Sequence, residues 1–152
     1  MQITKQRGKA PILRNLPSRL LAQTAALVAR IAGEALANVG GHQHQFAVLA
    51  TLEAFGPASQ AELCRRTDID RSDMNAALKA LESEGAVKRA IDPANRRQNV
   101  VELTNHGRQR FFDLRDRLEA AQKRALVSLS VAEQRELRRL LHRLHDHLAS
   151  EG

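Results

Sequence analysis

The sequence predicts a mainly α-helical fold with one small β-hairpin. Apolar residues recur at three- and four-residue spacing along most of the chain, and capping residues or glycines stand where these periodic segments begin and end. One stretch breaks that pattern, because two β-prone runs, Val87–Ile91 and Asn99–Leu103, flank the turn-forming residues 92–95. The tip of this hairpin carries two adjacent arginines, Arg96 and Arg97, which a hairpin does not need for folding.

Composition and charge narrow the class of protein. The chain has 152 residues, 43% of them hydrophobic, which is enough for the core of one domain. Its net charge of +7 and pI near 10.7 suggest an anionic partner, usually nucleic acid. Trp and Tyr are absent and only four Phe occur, so duplex DNA is favoured over single strands that stack on aromatic side chains. The single cysteine, Cys64, excludes an internal disulfide and suits a reducing cytosol.

The sequence also predicts a protein that stays in the cytoplasm and spans no membrane. The most apolar segment, residues 20–39, contains Gln23, Arg30, Glu34 and Asn38, which a lipid-spanning helix would not tolerate without partners. We therefore expect a buried helix of a soluble protein there. The N-terminus is basic but lacks the apolar segment of a signal peptide.

The predicted elements divide the chain into a basic arm and one domain. Residues 1–15 form the arm, in which Lys5, Arg7 and Lys9 precede any acidic residue. Residues 16–152 form the domain, and its first helix is apolar nearly all round, which predicts burial on more than one side. Helices are predicted over residues 17–38, 44–55, 59–67, 71–84, 104–129 and 130–149. Thr104 is placed to cap the fifth of these helices, and Ser130 with Glu133 has the spacing of a capping box at the start of the last.

A helix-turn-helix is predicted in the middle of the domain. Ser59 and Glu62 have the spacing of a capping box at the start of its first helix, and Asp70 is placed to cap the second. Cys64 falls where the two helices should cross, at a small buried position, and we interpret it as a structural thiol because no second cysteine could resolve an oxidised one. The apolar positions of this crossing are Leu63, Ile69, Met74 and Leu78.

The second helix and the hairpin are candidate DNA-contacting elements. The helix leaves side chains free to face a major groove, and the hairpin beside it would reach the neighbouring minor groove as a wing. An arginine in a minor groove meets concentrated negative potential, which gives Arg96 and Arg97 a function. Lys88 and Arg89 in the first strand are candidate phosphate contacts. The helix residues are Arg71, Ser72, Asp73, Asn75, Ala76 and Lys79.

Two stretches of the sequence carry a family resemblance. They are QFAVLATLEAFGPASQAELCRRTDIDRSDMNAALKALESEGAVKR and DPANRRQNVVELTNHG, which together span residues 45–107. Within them Gln-Phe, Ser-Gln-x-Glu-Leu, Leu-Glu-x-x-Gly-x-hydrophobic-x-Arg and Leu-Thr-x-x-Gly follow one another with the order and spacing of the multiple-antibiotic-resistance regulator (MarR) family. The chain therefore resembles that family, and the helices on both sides extend the resemblance to nearly its whole length.

The resemblance implies a homodimeric transcriptional regulator, acting mainly as a repressor, with no cofactor and no catalytic residues. Helices at about 17–39 and 105–149 would interlock two chains, and the winged helix-turn-helix at about 44–104 would bind half of a pseudo-palindromic operator in double-stranded DNA. A small-molecule effector would bind in a pocket at the junction of these regions and cause the protein to release the DNA. Its candidate neighbours are Leu20, Phe46, Phe111 and Phe112. The expected location is the nucleoid of a bacterium or archaeon.

The sequence departs from the family pattern at three places. Asn95, at the wing tip, stands where the family favours Asp, so a charged hydrogen bond that would orient Arg97 is replaced by a weaker neutral one. Ala76 stands where many members carry Arg or Thr, which removes a base contact. Gly41 and His42 replace the usual Leu-Thr before the second helix. The operator sequence of a relative therefore cannot be transferred to this chain.

Two alternatives to a ligand-responsive DNA-binding regulator stay open. A zinc-responsive regulator would use His42, His44 and His106, but two histidines two residues apart at a helix start cannot share the i,i+4 face of a helical zinc site. A winged helix used only for protein contact is the other alternative, and the basic arm and wing arginines argue against it. An enzyme is not expected, because neither a nucleophile arrangement nor a Gly-rich phosphate loop occurs in the sequence.

Overall fold

A computed structural model describes residues 8–97 and 99–152 of the chain, so Lys5 and Arg7 of the predicted arm lie outside the described residues. The described residues form seven helices and one two-stranded antiparallel sheet, which confirms the predicted fold class. In chain order the elements are α1 (Pro11–Asn15), α2 (Pro17–Ala37), α3 (Gln43–Phe55), α4 (Gln60–Thr67), α5 (Arg71–Ser83), β1 (Val87–Ile91), β2 (Asn99–Leu103), α6 (Asn105–Ala125) and α7 (Val131–Ser150).

The core lies where α3, α4, α5 and the sheet meet the C-terminal end of α2 and the middle of α6. All four residues predicted for the crossing of α4 and α5 are buried. Cys64 is only half-buried and packs against the edge of this core, so the prediction of an enclosed position for its thiol is wrong in part. The largest fully buried side chains are Leu36, Val48, Leu49, Leu63, Met74, Leu78, Leu81, Val101 and Leu114.

Side-chain caps mark where α4, α5, α6 and α7 start. Each predicted cap accepts a hydrogen bond from the backbone N–H three residues later: Ser59 at 3.2 Å, Asp70 at 2.8 Å, Thr104 at 3.0 Å and Ser130 at 3.1 Å.

A complete capping box forms at the start of α7 and not at the start of α4. The N–H of Ser130 donates to the Glu133 carboxylate at 2.9 Å, and this bond, with a second from the Ser130 side chain, lowers the pKa of Glu133. The carboxylate of Glu62 instead pairs with Arg65 and Arg66 on its own helix. The reciprocal half of the predicted Ser59 box is therefore wrong, because two guanidinium groups one turn away compete for the same carboxylate.

Two helix boundaries differ from the prediction. The arm is not wholly irregular, since Pro11 begins the single-turn helix α1 and the extended conformation imposed on Leu16 by the following proline ends it. Helix α6 ends at Ala125 rather than near residue 129. Beyond Ala125, the Gln134 side chain donates to the carbonyls of Leu126 and Leu129 at 3.2 and 3.1 Å. A side chain of α7 therefore provides hydrogen bonds to these carbonyls that a longer α6 would have provided from its own backbone.

The hairpin has the predicted strand bounds and is tied to the helix-turn-helix. Val87 pairs with Leu103 and Ile91 with Asn99 in an antiparallel register. On the other side of β2, Ala58 and Val101 exchange two backbone hydrogen bonds of 3.1 and 2.7 Å just before α4 begins. The base of the wing therefore has a fixed position relative to α4.

Helices α2 and α7 leave much apolar surface exposed in the single chain. Among the helices of the described residues, α2 is long and apolar enough to cross a membrane, and only 17% of its most apolar window is buried. The prediction that it is buried on more than one side is wrong for one chain, because only Ala32, Ala35 and Leu36 are buried. Helix α7 has no buried residue at all, although it carries a leucine stripe.

The two unusual residues before α3 form a tight joint. A Cβ atom on Gly41 would lie 2.6 Å from a methyl group of Leu114, so this glycine allows the loop to approach α6 closely. The Nδ1 atom of His42 accepts the N–H of His44 at 3.1 Å, which makes an imidazole the N-cap of α3. His42 thus performs the capping role for which the family pattern has threonine.

Replacing His42 with alanine should lower the free energy of unfolding by about 1 kcal/mol, since an N–H at the start of α3 loses its acceptor. His42→Thr should retain most of the stability, because its hydroxyl restores an acceptor at the same position. Urea denaturation of the three proteins at one fixed concentration measures the difference. Equal stability of the alanine variant and the wild type would mean that the imidazole cap contributes nothing.

Candidate nucleic-acid interface

Helix α5 divides its residues between the core and solvent. Its buried face consists of Met74, Ala77, Leu78 and Leu81. Arg71, Asn75 and Lys79 are four residues apart, so they form a row along the exposed face. An α-helix with its side chains is about 10–12 Å across, close to the width of a B-DNA major groove. All six predicted contact residues are exposed: Arg71, Ser72, Asp73, Asn75, Ala76 and Lys79.

One member of this face is held by the neighbouring helix. The Gln60 side chain donates from Nε2 to Oδ1 of Asn75 at 2.5 Å. Gln60 was not among the predicted site residues. Its position in the Ser-Gln-x-Glu-Leu pattern suggested only a helix start, and a contact across 15 residues leaves no periodic signal in the sequence.

Two polar side chains shape the wing tip. Asp92 accepts the N–H of Ala94 at 2.9 Å through its carboxylate, and its carbonyl accepts the N–H of Asn95 at 3.2 Å. The Asn95 side-chain oxygen in turn accepts the backbone N–H of Arg97 at 3.2 Å. Asn95 therefore orients the Arg97 backbone, whereas the sequence predicted a bond to the guanidinium group.

The two wing arginines project from this turn into solvent. Both Arg96 and Arg97 are exposed. Over residues 8–97 and 99–152, neither guanidinium forms an ion pair with a carboxylate. Both charges are therefore available to an external anion.

The two cations of β1 already have partners. Lys88 lies 3.7 Å from a carboxylate oxygen of Glu102 across the hairpin. Arg89 lies 2.5 Å from Glu82 and so joins the first strand to the last turn of α5. This pair gives the Leu-Glu-x-x-Gly-x-hydrophobic-x-Arg pattern a structural reason, because it joins the Glu and the Arg of that pattern. A phosphate contact by either cation stays a prediction.

The four candidate effector residues do not line one pocket. Phe46 and Phe111 stack with ring centroids 5.7 Å apart, and Phe112 lies 5.4 Å from Phe111. The Arg115 guanidinium lies over the Phe112 ring at 4.9 Å. Leu20 instead lines an open apolar cavity of about 1130 Å³ between α2, the C-terminal end of α6, and α7.

The histidines do not converge with other ligands. The rings of His42 and His44 contact each other edge-on at 4.9 Å, and His106 lies on the first turn of α6. Nowhere in the described part of the chain do three His, Cys, Asp or Glu side chains form a group that could hold a metal ion. The zinc-responsive alternative therefore has no support.

Comparison with known proteins identifies the family of this winged helix. The MarR family model matches residues 39–98, which contain α3, the helix-turn-helix and the wing tip. The HTH-type transcriptional repressor Rv2887 of Mycobacterium tuberculosis is 31% identical over 125 residues, which cover 82% of this chain and 90% of the relative. The chain belongs to the MarR family. Its relatives are transcriptional regulators rather than enzymes.

Solved structures of MarR-family regulators share the fold. A probable transcriptional regulator from Pseudomonas aeruginosa is 30% identical, with a TM-score of 0.78 over 87% of this chain and 98% of that one. MarR from E. coli, solved as a mutant with operator DNA, is 22% identical, with a TM-score of 0.75 over 90% of this chain and 99% of that one. The structure of Rv2887, solved with p-aminosalicylic acid, is 29% identical, with a TM-score of 0.69 over 86% and 98% of the two chains.

Proposed function

We propose that this MarR-family regulator is a homodimeric repressor that binds a pseudo-palindromic operator in double-stranded DNA and releases it when a small molecule binds. It would act in the cytoplasm, at the nucleoid of a bacterium or archaeon. The observation that carries the proposal is the joint exposure of the α5 row and of Arg96 and Arg97 at the wing tip. One element suits a major groove and the other the adjacent minor groove.

The apolar surface of α2 and α7 supports the homodimer. On α7, Leu140, Leu141, Leu144 and Leu148 are between 39% and 58% exposed. Burying the part of such a side chain that is still exposed stabilises an assembly by about 1 kcal/mol, and a second copy presents the same apolar faces. Because α2 carries Arg30 and Glu34 inside its length, a second protein chain suits this helix better than lipid does.

A gel-shift experiment with DNA from upstream of the protein's own gene tests the proposal directly. We expect a retarded complex that the same unlabelled DNA displaces and that a scrambled duplex of equal base composition does not. Equal affinity for both duplexes would mean that the protein binds DNA only through sequence-independent charge attraction. Failure to bind either duplex would favour the alternative of a winged helix used for protein contact.

The wing arginines should have distinguishable roles. Arg96→Ala should remove a phosphate contact, weaken binding to all duplexes and lower the salt slope by about one unit. Arg97→Ala should cost about 1–3 kcal/mol and reduce the preference for narrow, A·T-rich grooves, because we place this side chain inside the minor groove. Salt titrations with duplexes of two compositions measure both effects.

A charge-matched control for the wing is Arg117→Ala, since Arg117 is an exposed arginine in the middle of α6. It removes one positive charge from the protein without changing the hairpin. Its affinity and salt slope should equal those of the wild type. If both wing variants also keep wild-type affinity for the operator, the wing does not contact DNA.

The Phe46, Phe111 and Phe112 cluster is the proposed effector site, because it joins α3 of the winged region to the long helix α6. Leu20 belongs to the separate cavity, which a partner subunit would cover. The probe is p-aminosalicylic acid, the ligand of the solved Rv2887. A ligand that favours a different spacing of the two α5 helices should raise the melting temperature and weaken operator binding. Thermal stabilisation by this and related aromatic acids with no change in DNA affinity would contradict the proposed control.

A further inference from the structure

The hydrogen bond between Gln60 and Asn75 links the two helices of the helix-turn-helix at the protein surface. Gln60 is the first residue of α4, and the Ser59 cap fixes the backbone at that point. Asn75 lies in the exposed row of α5 between Arg71 and Lys79. Beneath the pair, the buried side chains of Leu63 and Met74 pack in the common core of the two helices. The two ends of the hydrogen bond are therefore attached to elements that cannot shift independently.

The direction of this bond determines what Asn75 offers to solvent. A side-chain amide carries an acceptor oxygen on one branch and two N–H donors on the other. Because Gln60 donates to Oδ1 of Asn75, the oxygen branch is turned toward α4. The Nδ2 branch is then left to point away from α4, on the exposed face of α5. Asn75 presents hydrogen-bond donors.

Asn75 differs in this respect from the rest of the exposed face. Arg71 and Lys79 have long side chains suited to phosphate contacts, and Ser72 and Ala76 have short ones. Within the described residues, Asn75 is the member of this face whose side chain is hydrogen-bonded by a side chain of a second helix. The hydrogen bond already fixes the rotamer of Asn75 in the free protein, so DNA binding would cost no further conformational entropy of this side chain.

We propose that Asn75 reads one base of each half-site through its N–H donors and that Gln60 is the positioning residue that sets this polarity. The inference rests on the proposed binding of double-stranded DNA. The base that matches a pair of donors in the major groove is guanine, whose N7 and O6 are both acceptors. An asparagine free to rotate would read adenine instead, by donating to N7 and accepting from the N6 amino group.

Selection from a pool of random duplex DNA tests this polarity and needs no operator sequence at the outset. The wild type should select a half-site with guanine at one position that Asn75→Ala no longer specifies. Gln60→Ala should reduce the preference at that same position about tenfold, with an unchanged salt slope because no phosphate contact is lost. Gln109→Ala, which changes an exposed glutamine on α6, should select the wild-type sequence.

The decisive variant is Gln60→Glu, because a carboxylate can only accept hydrogen bonds. Asn75 must then turn its N–H groups toward α4 and its oxygen outward. The preferred base at the same position should change from guanine to cytosine or adenine, whose amino groups donate. Loss of packing alone would not reverse the base preference. The melting temperatures of all variants test whether unfolding causes any of the changes.

Two outcomes would overturn the inference while leaving DNA binding intact. In the first, Asn75→Ala still specifies every position of the selected site. In the second, Asn75→Ala loses one position but both Gln60 variants keep the guanine preference there. If the wild type selects no common sequence, the proposed function itself fails, and that failure is recognisable before any variant is compared.

Discussion

Replacing Gly107 with alanine should lower the free energy of unfolding by about 4 kcal/mol and abolish DNA binding. A Cβ atom at this position would lie 1.9 Å from the Ala86 carbonyl oxygen and 2.9 Å from a methyl group of Leu103. The first contact is with backbone, which cannot rotate away as a side chain can. The start of α6 would therefore have to move off the turn that leads into β1.

The hydrogen bonds of Thr104 explain why that movement would be costly. Its N–H donates to the Ala86 carbonyl at 3.0 Å, and its hydroxyl donates to the Gly85 carbonyl at 2.6 Å. The same hydroxyl accepts the N–H of Gly107 at 3.0 Å. Overpacking costs about 1–3 kcal/mol, and each lost hydrogen bond adds about 1 kcal/mol. Because these bonds also set the direction of β1 and the wing, DNA binding should be lost with them.

Urea denaturation and gel shifts measure the two effects, and His106→Ala is the matched control. His106 is exposed in the same turn of α6, so its replacement should change stability by less than about 0.5 kcal/mol. Gly41→Ala gives a second comparison, since the atom nearest its added Cβ is a Leu114 methyl group that can move. If Gly107→Ala is no less stable than Gly41→Ala, the close approach of α6 to Ala86 does not require glycine.

The features that the sequence predicted correctly depend on residues close together in the chain. The strand bounds agree with the structure because a turn at residues 92–95 sets the register of the residues on both sides. The caps at Ser59, Asp70, Thr104 and Ser130 agree because each involves a backbone N–H only three residues away. Both partners of each of these interactions lie within a short window of sequence, so the sequence alone predicts them.

The predictions that failed depend on contacts from elsewhere in the fold. The apolar residues after Ala125 continue the helical period, but Gln134 satisfies the carbonyls of a turn there instead. Leu20 is apolar like the phenylalanines, yet it lines the cavity between α2, the C-terminal end of α6 and α7, which none of the three phenylalanines lines. Asn75 was predicted as a contact residue, but its orientation depends on Gln60, which no local pattern connects to it.

Replacing Leu144 with glutamate should raise the dissociation constant of the dimer more than about 100-fold. Leu144 is 39% exposed in the single chain and lies in the middle of the α7 leucine stripe, with Leu140 and Leu148 one turn away on either side. In a two-fold symmetric dimer the change occurs twice. Each copy loses about 1 kcal/mol of apolar burial at the interface, because Leu144 is already more than half covered in the single chain, and places a carboxylate where water is excluded. Sedimentation velocity over a range of concentrations measures the constant.

The matched control is His142→Glu, which adds the same carboxylate to the same helix. Residues 142 and 144 point about 200° apart around a helix of 3.6 residues per turn, so His142 lies away from the leucine stripe. Its dimer should be as stable as that of the wild type, which would assign the effect of Leu144→Glu to the apolar face rather than to added charge. Deleting residues 130–152, which removes α7, should leave chains that aggregate or unfold, because α2 and the C-terminal end of α6 lose the helix that lines the apolar cavity with them. A well-behaved monomer of the intact chain at micromolar concentration, or a Leu144→Glu dimer as tight as the wild type, would contradict obligate dimerisation through α7.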